Sequence, residues 1–191
     1  MYTPFHGTGN KPVRRILAEL GFKHVYVVPE QERPDPAFTT LDYPNPEDPK
    51  AFTLALKLAK KVDADIVLAT DPDADRLGIY AKDSKTGEYM PFTGNMSGML
   101  IAEYILRERT ATNRMPVDPV MVSTIVTTNM AAAIAADYNV ELREVLTGFK
   151  YIGEQIKWME QLGKATMYSV WKSPTAVWQA PMQEIRMRLL Q

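Results

Sequence analysis

Residues 71–76 read DPDADR and stand between two apolar runs, DIVLAT at residues 65–70 and LGIYAK at residues 77–82. Each run is short, largely aliphatic and bounded by charge, the pattern of a strand in a core. The spacing predicts strand, tight connection, strand, with Asp71, Asp73 and Asp75 on the connection. Carboxylates at alternate positions on so short a turn share one small volume and repel one another unless a cation sits among them. Hard, small ions such as Mg2+ prefer oxygen ligands and keep waters that a phosphate can replace. The expected element is therefore a divalent-metal loop suited to phosphate chemistry.

Other readings of the same residues compete. Short acidic motifs occur by chance, and a solvated acidic turn needs no ion. A calcium EF-hand loop is excluded, because its sixth position requires glycine and its twelfth glutamate, where this chain has Arg76 and Lys82. A haloacid-dehalogenase-type phosphatase also places two aspartates after a strand, and would use Asp71 as nucleophile and Asp73 as acid/base. Its third motif position is normally threonine or valine, and Asp75 stands there, so that reading is a minor rival.

At 191 residues the chain is long enough for one domain or two small ones with a real core. A net charge of -1 without long charge runs points away from nucleic acid and from electrostatic attachment to a membrane surface. No apolar run is long enough to span a bilayer, and Met1 leads into a Pro/Gly-rich segment that does not resemble a secretory leader, so the default setting is cytoplasmic. Without cysteine there are no disulfides and no thiolate sites.

Residues 2–10 (YTPFHGTGN) read as a loop opening a helix at about residues 11–21, with Pro12 in its first turn, Val13, Ile16, Leu17 and Leu20 at helical spacing, and Gly21 as its stop. Gly7 and Gly9 permit close backbone approach, which serves either an anion at the helix N-terminus or a plain strand-to-helix turn. His6 reads as a hydrogen-bonding turn residue, with a ligand or proton-donor role as the alternative. Residues 24–29 (HVYVVP) read as a strand, and residues 29–49, with six prolines, as an extended loop. A helix over about 47–62 follows, with Phe52, Leu54, Ala55, Leu58 and Ala59 facing the core and lysines at its end. The alternation predicts an α/β layer with the aspartate loop at a sheet edge, where such folds bind ligands.

A turn at residues 83–88 and a short strand ending at Phe92 lead to an expected domain boundary at about Thr93. Beyond it, helices over about 96–108, 128–138 and 148–161 alternate with strands over 119–126 and 140–146, half of a second α/β domain. Its informative piece is TGFKYIG at residues 147–153, a strand-to-helix turn with Lys150 available to an anion or simply at the surface.

The segments YTPFHGTGNKP, PNPEDP, ATDPDADR, FTGNMSGMLIAEYIL and TGFKYIGEQI, in that order, resemble the second domain and the start of the third domain of the α-D-phosphohexomutases, most closely the bacterial phosphoglucomutase/phosphomannomutase type. The resemblance runs from Tyr2 to about Met159. It implies two successive α/β layers with mixed sheets, the second incomplete, from a four-domain enzyme. Such enzymes move a phosphoryl group between C1 and C6 of a glucose or mannose phosphate, from a phosphoserine in the first domain and through a bisphosphorylated sugar. It further implies that Asp71, Asp73 and Asp75 hold the Mg2+ that the phosphoserine also ligates, that Arg76 is catalytic and steadies the phosphoryl group, and that Thr147, Gly148 and Lys150 line the sugar side of the cleft. Metal and arginine would then offset charge on the transferring oxygens, most of what phosphoryl transfer needs.

Two departures shape the expectation. The family's serine loop, typically TASHNP, and its distal phosphate-binding domain are missing, so the chain is expected to be an inactive fragment, with a stand-alone Mg2+/phosphosugar-binding module as the alternative. From Ala165 the sequence loses periodicity where a loop of type GFEESYG is due. Codons allowed for residues 169–174, read one base back, spell GLEES, so a single-base frameshift near Gly163 is expected, leaving residues 165–191 as a tail never selected to pack. The expected organisation is residues 1–93, 94–164 and 165–191. The nucleotide sequence across the Gly163 codon checks this; a reading there with no displaced base relative to its relatives overturns it.

Overall fold

The computed structural model describes residues 1–162; the expected frameshifted tail lies outside them. The chain forms two compact units, Met1–Thr93 and a second that begins at Gly94.

Unit 1 is built on a mixed sheet of four strands in the order β1 (Tyr2–Thr3), β2 (Ile66–Thr70), β3 (Leu77–Lys82) and β4 (Tyr89–Phe92). β1 runs parallel to β2, which pairs antiparallel with β3, which pairs antiparallel with β4. Side chains alternate across a strand, so Val67 and Ala69 of β2 share a face with their partners Tyr80 and Gly78 of β3. Helix α2 (Thr53–Val62) and the 3-10 turn before it, Pro49–Phe52, pack on that face through Phe52, Ala55 and Ala59. Phe52 is the hub: its ring centroid lies 5.6 Å from that of Phe5, edge-on, and 4.6 Å from that of Tyr80. The expected single helix over 47–62 is thus two pieces, because Asp48 accepts from the Lys50 N–H at 2.9 Å and starts a tighter turn first. Asp63 closes α2 in a left-handed conformation, with Lys60 and Lys61 in the last turn.

Helix α1 (Asn10–Glu19) forms as the periodicity predicts, yet none of its residues is fully buried, and Ile16 and the capping Leu20 after it are 55% and 69% exposed. The expected strand at 24–29 shrinks to one parallel bridge between Tyr2 and Val27. Two backbone bonds flank that bridge, Tyr2 N–H to Tyr26 O at 2.8 Å and Val28 N–H to Tyr2 O at 3.2 Å. Pro4 then has no N–H to offer the Val28 carbonyl, which accepts instead from the Gln31 N–H at 3.1 Å in the 3-10 turn Pro29–Gln31, so the pairing does not extend. Part of the loop expected at 2–10 is instead β1.

Unit 2 has a parallel pair, β5 (Val120–Thr124) and β6 (Glu141–Val145), with α3 (Gly94–Ala111), α4 (Met130–Asp137) and α5 (Phe149–Gln161) around it. Every residue of β5 is buried. Met121 faces Met99, Ala102, Leu106, Ala131 and Ala135 of α3 and α4, while Val120 and Val122 face Ile152 and Met159 of α5. Both units are α/β, as the alternation predicts, and the second sheet is parallel among the described residues.

Gly78 is a tight point of the first core: a Cβ there would lie 2.7 Å from the Phe52 ring and from both the ring and the carbonyl of Pro46. Gly78→Ala is expected to cost about 1–3 kcal/mol of stability, read from urea denaturation.

Candidate metal centre

The β2–β3 register closes at Thr70 opposite Leu77, so the six residues 71–76 must reverse the chain. Asp71 is the first of them and is 6% exposed. Its Oδ1 accepts from the Arg76 backbone N–H at 2.9 Å across the turn, and its carbonyl accepts from the Ala74 N–H at 3.0 Å. Ala74 sits at φ 60, a left-handed conformation that lets the chain reverse between Asp73 and Asp75. The result brings one carboxylate oxygen from each of Asp71, Asp73 and Asp75 within 4.8 Å of one another. Around an octahedral Mg2+ with bonds of about 2.0–2.1 Å, ligand oxygens stand roughly 3–4 Å apart, so the three donors fit such an ion with little movement. They are all hard oxygen donors, as Mg2+ requires.

The electrostatics agree. Asp71 is pushed up to about 6, chiefly by burial and further by the hydrogen bond and charge of Asp73 and the charge of Asp75, against the Arg76 N–H that favours the ionised form. The Arg76 guanidinium is the cation at hand: its Nε lies 3.6 Å from Asp71 Oδ2 and 3.8 Å from Asp75 Oδ1. The arrangement is a partly buried anionic cluster with one fixed positive neighbour, able to hold a divalent cation and to present an arginine beside it.

The glycines of residues 2–10 do make a close approach, and what they approach is this loop. A Cβ on Gly7 would lie 2.4 Å from Pro72 Cα, and one on Gly9 would lie 2.5 Å from Thr70 Oγ1. His6 is a hydrogen-bonded turn residue with both ring nitrogens engaged: Nδ1 donates to the Arg33 carbonyl at 2.8 Å, which leaves Nε2 to accept from the Thr40 hydroxyl at 2.8 Å.

In unit 2, Thr147, Gly148 and Lys150 lie together where β6 turns into α5. Gly148 has φ 140, a conformation that needs glycine. Thr147 and Lys150 are exposed, and Lys150 Nζ sits 4.8 Å from the Tyr151 ring centroid. Periodicity missed Ser97 on α3 and Ser123 on β5, whose hydroxyls are buried without a hydrogen-bond partner among the described residues. The only sequence signal for Ser123 was a hydroxyl inside an otherwise apolar run.

The family model described as phosphoglucomutase/phosphomannomutase, alpha/beta/alpha domain II, matches residues 1–86, and that for alpha/beta/alpha domain III matches residues 93–163. A phosphoglucomutase of Staphylococcus epidermidis is 40% identical over 157 residues, 82% of this chain and 28% of the relative. The chain thus spans 28% of the length of that curated relative. A phosphoglucomutase/phosphomannomutase family protein of Burkholderia thailandensis superposes with TM-score 0.64 at 21% identity, over 87% of this chain and 32% of the other. An Aspergillus fumigatus N-acetylphosphoglucosamine mutase, solved in complex with GlcNAc-6P and magnesium, superposes with TM-score 0.57 at 14% identity, over 91% and 34%. At these identities the two structural likenesses are likenesses of fold.

The raised Asp71 value sets a pH dependence. A folded value above the ordinary 3.8 adds stability below about pH 4 that is lost as pH rises through about 6. In chelator, the denaturation midpoint is expected to fall over that window, and Asp71→Asn to flatten the fall; equal slopes in the two proteins would refute the assignment.

Proposed function

Since the chain belongs to the phosphoglucomutase/phosphomannomutase family, we propose that it carries the metal loop and part of the sugar-facing surface of an intramolecular phosphotransferase that interconverts hexose 1-phosphates and hexose 6-phosphates. The observation that carries this reading is the convergence of the Asp71, Asp73 and Asp75 oxygens beside Arg76. In this reading residues 1–93 are the family's second domain, 94–164 part of its third, and 165–191 the frameshifted tail.

Asp71, Asp73 and Asp75 hold Mg2+, which when bound supplies positive charge against the oxygens of the phosphoryl group. Asp71 orients the set: burial and the Arg76 N–H fix its carboxylate, while Asp73 and Asp75, both exposed, complete the donor set from the solvent side. Arg76 presents a planar, permanently charged donor group next to the same carboxylates, suited to steady a phosphoryl oxygen. Thr147, Gly148 and Lys150 take the sugar phosphate. The N-terminus of α5 follows Gly148 directly, has no acidic residue in its first turn, and adds its free amides to the Lys150 charge. A glucose or mannose phosphate is the substrate class, in keeping with the name of the S. epidermidis relative and with the sugar phosphate and magnesium bound by the A. fumigatus enzyme.

No serine loop of the TASHNP type occurs in these 191 residues, and a polypeptide of this sequence is expected to bind Mg2+ without turning over. Incubation with glucose 1-phosphate and Mg2+ is expected to leave the substrate unchanged. Isomerisation would overturn the assignment as an inactive fragment, and release of inorganic phosphate would favour the dehalogenase-type reading. A Mg2+ titration watched at the amides of residues 71–76 is expected to shift them at millimolar metal, and an unmoved spectrum would remove the metal loop.

A further inference from the structure

Between Asp71 and Asp73 stands one residue, Pro72, and its carbonyl accepts from two donors of the same partner: the Thr8 backbone N–H at 2.9 Å and the Thr8 hydroxyl at 3.1 Å. The Pro72 carbonyl belongs to the rigid peptide plane that also contains the nitrogen and Cα of Asp73. Fixing that oxygen fixes the plane, and with it the direction from which the exposed Asp73 side chain starts. Gly7 and Gly9 allow the contact, since a Cβ on either would strike Pro72 or Thr70.

The other side of the Thr8 turn is held as firmly. Phe5 and His6 both adopt left-handed conformations, φ 45 and φ 62, which cost about 1–2 kcal/mol each for residues with a Cβ. Phe5 is buried against Phe52, and the His6 N–H donates to the Gln31 carbonyl at 3.0 Å. A directed chain of bonds ties the turn to the proline-rich segment: Thr3 hydroxyl to Gln31 Oε1 at 2.7 Å, Gln31 Nε2 to Thr40 Oγ1 at 3.3 Å, Thr40 hydroxyl to His6 Nε2 and His6 Nδ1 to Arg33 O, both at 2.8 Å. Gln31 is fully buried, so every polar group it brings is satisfied inside this chain.

We propose that residues 5–9 are an abutment for the aspartate loop and that Thr8 is a positioning residue, which sets the separation of the Asp71 and Asp73 carboxylates without touching the ion itself. The inference rests on the metal reading above. It assigns work to Thr8, and through it to the proline-rich segment on which the turn is anchored.

The test is Mn2+ binding to the 191-residue chain, followed by the electron paramagnetic resonance signal of free Mn2+, alongside the thermal midpoint without metal. Thr8→Val keeps the shape and the backbone N–H but removes the hydroxyl, and is expected to weaken Mn2+ binding about fivefold at an unchanged midpoint. Thr8→Ser is expected to restore the affinity. Gly7→Ala, which drives a methyl group into Pro72, is expected to weaken binding further in whatever fraction stays folded by circular dichroism. Equal affinity in the wild type and Thr8→Val overturns the inference while leaving the metal loop standing. A loss of affinity that tracks a lowered midpoint and is not rescued by serine also overturns it, as general destabilisation. No Mn2+ binding by the wild type removes both readings.

Discussion

Repulsion among Asp71, Asp73 and Asp75 is the constraint on which the first unit is arranged. Three carboxylates held within 4.8 Å of one another oppose the folding of their own turn, and the surrounding contacts answer that opposition in order. The antiparallel register brings Thr70 opposite Leu77 and leaves the turn no slack. The Arg76 N–H and guanidinium supply positive charge from within the motif, and the Thr8 donors hold its backbone from outside. The aromatic cluster of Phe5, Phe52 and Tyr80 carries that arrangement into the core, because Phe5 anchors the turn at residues 5–9 and Tyr80 lies on the strand leaving the aspartates.

Much of this was legible in the sequence wherever the cause is local. The runs around DPDADR are short, apolar and bounded by charge as core strands are, α2 places its apolar residues at helical spacing and ends in lysines, and the aspartate spacing itself predicts convergence. What escaped depends on partners distant in the chain. β1 is two residues long and exists only because β2 lies beside it, while HVYVVP looks like a strand and is not one because its neighbour has no further donors to offer. The glycines at 7 and 9 announced a close approach but could not say that the approached chain is residues 70–74. The roles of Gln31 and Thr40 were invisible, since hydroxyls and amides in a proline-rich loop carry no periodicity.

The second unit reverses that balance. β5 is buried along its whole length, as a strand covered on both faces must be, and its apolar run made it easy to place. Its hydroxyls are harder to account for: Thr124 approaches Thr127 at 3.3 Å, whereas Ser123, like Ser97 of α3, has no partner among the described residues. A buried hydroxyl left unsatisfied lowers stability, so Ser123, near the carboxyl end of a parallel strand where α/β folds gather ligands, is a local cost with no local benefit in packing.

Helix α1 follows the aspartate-supporting turn directly, yet none of its side chains is fully enclosed. Little apolar area holds it down beyond its first turn, where Gly9 is wedged against Tyr2 and Thr70. It is therefore expected to open early, unwinding from Glu19 backward in small excursions while β2 and β3 stay paired. Amide protons near its C-terminal end would exchange in a regime set by local fraying, and those of β2 and β3 in one set by global unfolding. The turn at residues 5–9 marks the border between them, so the loop it supports is shielded from the restlessness of the helix that follows.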